Sequence, residues 1–174
     1  TEDELVRRIN VELVATWGNL VNRVISMTHR YFGGVVPQPG ESQAADVEVL
    51  AAVDTALADA SEHLGAVRLR AALATLLAGA QATNQYLSEL EPWKTAKTDL
   101  ERTGTTLFIA LQCISGLAAG FAPYLPATSA KVLEAIGIDT SPRQPAWGRA
   151  AVPAGTELGP AVPLFSKVEL PVED

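Results

Sequence analysis

The sequence predicts an all-α fold, an antiparallel bundle of about five helices with an irregular C-terminal tail. Three observations predict it. Apolar side chains recur at three- and four-residue steps, proline and glycine clusters cut the chain into helical blocks and a helix-poor tail, and no stretch alternates apolar and polar residues with the period of a strand. With 174 residues, 48% of them hydrophobic, the chain can bury a core of single-domain size and does not have the composition of a disordered protein. Residues 1–140 read as the helical domain and 141–174 as the tail.

The first helix runs from Glu2 to Phe32, with Leu5, Ile9, Leu13, Leu20, Val24, Met27 and Tyr31 at helical spacing. Glu2, Asp3 and Glu4 suit its start and Arg30 its end, because the helix dipole favours acids at the N-terminus and bases at the C-terminus. Gly33-Gly34 stops it, and Gly18 in its middle points to close packing there. A second helix is expected from Ala44 to Asp59, burying Val49, Leu50, Val53 and Leu57. A third is expected from His63 to Glu89. One of its faces carries Leu64, Val67, Ala71, Ala74, Ala78 and Gln81, another Leu73, Leu76, Leu77, Ala80, Asn84 and Leu87. Pro92 ends it, having no amide proton to donate, and Glu91 to Lys97 reads as a connector. Thr98-Asp99-Leu100-Glu101 fits a capping box at the start of a fourth helix that continues through Leu107, Leu111, Ile114, Leu117 and Phe121 to Pro123. A short fifth helix spans Ser129 to Ile136 and stops at Gly137. Asp139 to Glu157, with Trp147, reads as loop, and Val162 to Val168 as an extended apolar arm.

Composition narrows the function classes. A single cysteine, Cys113, excludes a disulfide scaffold and fits a reducing compartment. The most apolar window, Thr103 to Leu125, is interrupted by Gly104, Gly116, Gly120 and Pro123 and holds Gln112, so no membrane partner is expected. The acidic start is the reverse of a signal peptide, and a first residue other than Met suggests a processed chain or a piece of a larger one. A net charge of −7 argues against gripping nucleic acid through phosphates alone.

The inventory of catalytic parts is thin. His29 and His63 stand alone, without ligands at metal spacing, and Cys113 reads as a buried thiol. Gly33-Gly34 lacks the preceding strand and following lysine of a phosphate loop, and Glu89 with Glu91 reads as a solvated helix end. No catalytic and no metal-binding residue is assigned. Two sites carry more. Asn19 and Arg23, four apart on one helix, set an amide beside a guanidinium in a geometry that reads base edges; solvated polar positions opposite the Leu20, Val24, Met27 stripe are the plainer alternative. Trp93, held after Pro92 with Lys94 and Lys97 beside it, suits base stacking, or else plugs the core beneath its connector. Trp17 and Trp147 read as packing residues.

Taken together, these sites resemble the anticodon-binding domain of methionyl-tRNA synthetases. The resemblance lies in Arg8-Ile-Asn-Val-Glu-Leu, Trp17-Gly-Asn-Leu-Val-Asn-Arg-Val and His29-Arg-Tyr-Phe-Gly-Gly, then Asn84-Gln-Tyr-Leu-Ser-Glu-Leu-Glu-Pro-Trp-Lys-Thr-Ala-Lys. It continues in Pro123-Tyr-Leu-Pro-Ala-Thr-Ser, Val132-Leu-Glu-Ala-Ile-Gly and Pro163-Leu-Phe. It implies a domain that recognises the CAU anticodon of methionine tRNA, with Asn19 and Arg23 contacting bases and Trp93 stacking on one. Arg30, Lys94 and Lys97 would form a positive rim around these contacts. Thr16-Trp17 departs from the acidic or polar residues usual in the family at that place. The family's His-Ile-Gly-His and Lys-Met-Ser-Lys-Ser elements, which hold ATP and adenylate, are missing, so a catalytic domain is expected before Thr1 and this segment alone should not aminoacylate. No cofactor is expected in the segment; ATP and magnesium belong to the complete cytoplasmic enzyme. The tail is expected to pack back toward the catalytic domain. The rival reading is a helical protein-interaction module without a nucleic-acid role, which gives Asn19, Arg23 and Trp93 no reason to converge.

Overall fold

A computed structural model describes residues 2–140 and 145–161. The first predicted helix is continuous over its expected length but not uniform. It consists of α1 (Glu2–Glu12), a π-helical turn (Leu13–Gly18) and α2 (Asn19–Phe32). Helical periodicity does not reveal the wide turn, because Leu13, Trp17, Leu20, Val21 and Val24 keep three- and four-residue spacing through it and are all buried. Gly33 closes α2 in the left-handed conformation at φ +63°, a region closed to most side chains, and the Gly34 amide returns to the Thr28 carbonyl at 3.1 Å.

The remaining elements are α3 (Ala44–Gly65), α4 (Leu69–Leu90), α5 (Pro92–Thr98), α6 (Leu100–Phe121) and α7 (Pro126–Ala135). The bundle class stands, with three corrections to its joints. The break expected after Asp59 falls at Ala66 to Arg68, so α3 is longer and α4 starts later than the sequence suggests. The chain turns there on Val67, at φ +59° and 78% exposed, not on a capping glycine. The connector carrying Trp93 is a helix, not a loop. Glu91 caps α4 in the left-handed region at φ +48°, and Pro92, with no amide to satisfy, opens α5. The N-cap of α6 is Asp99 rather than Thr98: its carboxylate accepts from the Arg102 amide at 3.1 Å, while Thr98 closes α5.

The core is built around α6, which by length and mean hydropathy (1.5) is bilayer-length despite its interruptions, yet lies almost wholly buried inside the bundle. The α3–α4 hairpin packs across it through small residues. A Cβ at Gly120 would stand 2.5 Å from Leu76 and 2.9 Å from Leu57, so glycine sets the helix approach there. Of the two predicted faces of the third helix, the one with Leu73, Leu76, Leu77, Ala80 and Leu87 is the core face, whereas Ala74, Ala78 and Gln81 are exposed. Trp17 is fully buried with its ring 5.0 Å from that of Phe121, and so holds α6 to the π turn.

A buried polar network ties the α3, α4 and α6 ends nearest the site. Asp46, completely buried, accepts a forked pair from Arg102 at 2.5 and 3.0 Å, the Tyr86 hydroxyl at 2.5 Å and the Gln43 amide at 2.8 Å. The described tail is irregular, as expected, and is stitched over the bundle. Gln112 exchanges hydrogen bonds with Val152 backbone, Ser115 donates to the Ala150 carbonyl, and Trp147, 40% exposed, donates its indole N–H to the Leu57 carbonyl. Val35 and Glu157 form an antiparallel bridge, and a His29 ring nitrogen lies 2.7 Å from the Gly159 carbonyl. The arm expected over Val162 to Val168 lies outside the described residues.

Candidate nucleic-acid interface

The candidate site forms where α2 and α5 meet at one end of the bundle. On α2, Asn19, Arg23 and Arg30 share one side, because residues four and seven apart on a 3.6-residue helix return to nearly the same direction. The opposite side, Leu20, Val21, Val24 and Ile25, is buried, so core packing turns the polar stripe outward. Asn19 and Arg30 are exposed and Arg23 is half-buried. Asn19 is the first residue after the π turn, and its backbone N–H donates to the Val14 and Thr16 carbonyls.

Trp93 comes from the other direction. Leu90 ends α4, Glu91 turns the chain, and Pro92 starts α5 so that Trp93 sits in its first turn. The helix is short and needs anchoring. The Thr95 and Thr103 hydroxyls, 2.6 Å apart, fasten α5 to α6, and the Glu91 carbonyl accepts from the Lys94 and Thr95 amides at 2.9 and 3.1 Å. Trp93 is therefore held half-buried at the surface, neither a core plug nor a freely moving ring.

The Arg23 guanidinium carbon lies 5.6 Å from the centre of the Trp93 ring. Residues far apart in sequence are thus joined by a cation–π contact, worth about 0.5–1 kcal/mol at an exposed site. Asn19 stands one turn before Arg23 on the same stripe. The other predicted residues are more loosely placed. Arg30 lies two turns beyond Arg23, its guanidinium 5.6 Å from the Tyr31 ring, and Lys97 is exposed in the last turn of α5. Lys94 is exposed, but its ammonium is 2.7 Å from the Glu91 carboxylate, which offsets part of the positive rim. Chemically the site offers an aromatic face, a forked donor, an amide with both donor and acceptor, and cations at the edge. These are recognition groups for a planar, hydrogen-bonding ligand with nearby phosphates. Cys113 is remote from it, completely buried, with burial pushing its thiol up to about 12.

Sequence reasoning gave no role to Asn84 or Thr16. The Asn84 side-chain amide donates to the Thr16 carbonyl at 3.0 Å and so links α4 to the π turn just before Asn19. The signal was readable: Asn84 is an amide in the otherwise apolar face of α4.

The comparisons with known proteins agree on the class of domain. A family described as the anticodon binding domain of methionyl tRNA ligase matches residues 36–171, a span that contains Trp93 but begins after α2. The methionine–tRNA ligase of Roseiflexus castenholzii is 41% identical over 192 aligned positions, covering 95% of this chain and 32% of the relative. That of Roseiflexus sp. RS-1 is 51% identical over 134 positions, covering 77% of the chain and 22% of the relative. A solved Mycobacterium tuberculosis methionyl-tRNA synthetase in complex with methionyl-adenylate superposes with a TM-score of 0.87 at 30% identity, over 94% of this chain and 33% of that one. The chain thus spans about a third or less of the length of these relatives. Matched along most of its length in both sequence and fold, the chain belongs to the family of anticodon-binding domains of methionyl-tRNA ligases.

Proposed function

We propose that this domain reads the CAU anticodon of methionine tRNA for a methionine–tRNA ligase whose catalytic domain lies elsewhere in the same polypeptide. The observation that carries the reading is the meeting of Arg23 with Trp93 at the surface, one turn from an exposed Asn19. An unstacked anticodon base lays its ring against Trp93, while Arg23 and Asn19 hydrogen-bond base edges. Single-stranded RNA loops are recognised in this way, by stacking and by edge contacts to splayed bases. Arg30, Lys94 and Lys97 meet the neighbouring phosphates. ATP and magnesium serve the catalytic domain, and the enzyme works in the cytoplasm.

The reading is tested by the binding of an anticodon stem–loop RNA to the chain and by tRNA charging in the complete ligase. Trp93→Ala and Arg23→Ala should each weaken binding by about 1–3 kcal/mol, the range found for loss of a stacked or edge-read base. If both variants bind and charge like the wild type, the site is wrongly assigned; insensitivity to the anticodon would favour the interaction-module reading.

A further inference from the structure

The π turn at Leu13–Gly18 stands directly before the polar stripe of α2. A turn closed by i→i+5 hydrogen bonds accommodates an extra residue, so the faces on its two sides are offset from those of an uninterrupted helix by up to one residue's step, about 100°. Wherever the extra residue is held, it decides the direction in which Asn19 and Arg23 point. Two contacts hold it. Trp17 is buried against Phe121, and the Asn84 amide donates to the Thr16 carbonyl across 68 residues of sequence. The second contact is the more specific. A π turn disturbs the regular i→i−4 ladder, and a side-chain donor inserted at a disturbed carbonyl fixes where the disturbance sits. Asn84 also stands on α4, the helix whose C-terminal end leads through Glu91 into Pro92 and Trp93. One side chain therefore references the α2 stripe to the helix that launches the stacking ring.

We infer that Asn84 is a positioning residue for anticodon recognition: by pinning the Thr16 carbonyl it locks the register of the π turn, so that Arg23 faces Trp93 with Asn19 beside it. The inference rests on the anticodon reading proposed above. Asn84 acts through the backbone of the turn, whose Thr16 carbonyl it holds.

The test uses the 174-residue chain, a CAU anticodon stem–loop RNA and the same stem–loop with an altered anticodon. Asn84→Ala should weaken CAU binding about tenfold, the ratio that 1.4 kcal/mol represents, and narrow the preference over the altered loop. Combined with Arg23→Ala, its loss should be smaller than the product of the two separate losses, because both act through one geometry. Asn84→Asp adds a readout that a merely structural role does not move. An ionised carboxylate opposes the Thr16 carbonyl, whereas a protonated one donates to it as the amide does. The deficit of Asn84→Asp relative to wild type should therefore shrink as the pH is lowered from 8 toward the carboxyl range, about 4, while that of Asn84→Ala stays constant. If Arg23→Ala and Trp93→Ala weaken binding but Asn84→Ala, still folded at the assay temperature, binds and discriminates like wild type, the clamp is refuted and the site stands. If all three bind like wild type, the anticodon reading itself falls.

Discussion

At the scale of single residues, the Arg23–Trp93 contact explains why arginine rather than lysine suits this position. The planar guanidinium lies against a ring and still presents a forked donor, whereas an ammonium is a point charge. Arg23→Lys therefore keeps the charge but should lose much of the affinity for the stem–loop, and an unchanged titration would show that charge alone matters. A second residue-scale prediction concerns Asp46. Burial by itself raises its pKa, but the Arg102 fork, the Gln43 amide and the Tyr86 hydroxyl outweigh this and hold the carboxyl below its ordinary value. The folded protein then binds this proton less readily than the unfolded chain does. The stabilisation is present above the unfolded carboxyl value, about 4, and is lost as pH falls from there through the lower folded value. Asp46→Asn should flatten that acid limb of a Tm-against-pH curve. Asp46→Ala strands the Arg102 charge, whose side chain is only 11% exposed, and should cost about 3–5 kcal/mol in denaturant unfolding. Cys113, with its thiol pushed up to about 12 by burial, should resist alkylation at neutral pH until the protein is unfolded, as read by mass spectrometry.

At the scale of elements, helices were legible and their joints were not. Long apolar stripes at helical spacing identify α2, α3, α4 and α6, because burial of such a stripe drives each one. Joints depend on single backbone conformations. Val67 and Glu91 occupy the left-handed region without being glycine, so nothing in their residue type announces a turn. In the sequence Pro92 reads as a terminator, and it is equally a starter, since the missing amide costs nothing in a first turn. The candidate site followed the same division. Asn19, Arg23 and Trp93 were readable as residues, but their convergence depends on a π turn and a short helix that periodicity does not show. Asp99→Ala removes the α6 cap beside α5 and should cost about 1 kcal/mol. Trp17→Ala, which empties the joint between the π turn and α6, should cost about 3–5 kcal/mol.

At the scale of the whole molecule, the net charge of −7 governs how a nucleic acid can be held. A chain this acidic does not attract RNA over its whole surface, and Lys94 is already offset by Glu91. On the proposed reading, contact is confined to the end of the bundle where α2 meets α5, with Arg30, Lys94 and Lys97 as the cations offered to phosphates. At about −0.7 per phosphate contact, those three predict a slope no steeper than about −2 in a plot of log affinity against log salt. A much steeper slope would mean a larger basic footprint than this surface provides. Such weak general attraction leaves discrimination to the bases, which makes anticodon identity the central variable. The most direct measurement is therefore the affinity of this chain for a CAU stem–loop against loops altered at each anticodon position, at one fixed salt concentration. Tighter binding of CAU by about tenfold or more per altered base is the predicted result, in line with 1–3 kcal/mol for an edge-read base. Equal affinity for all loops would contradict it.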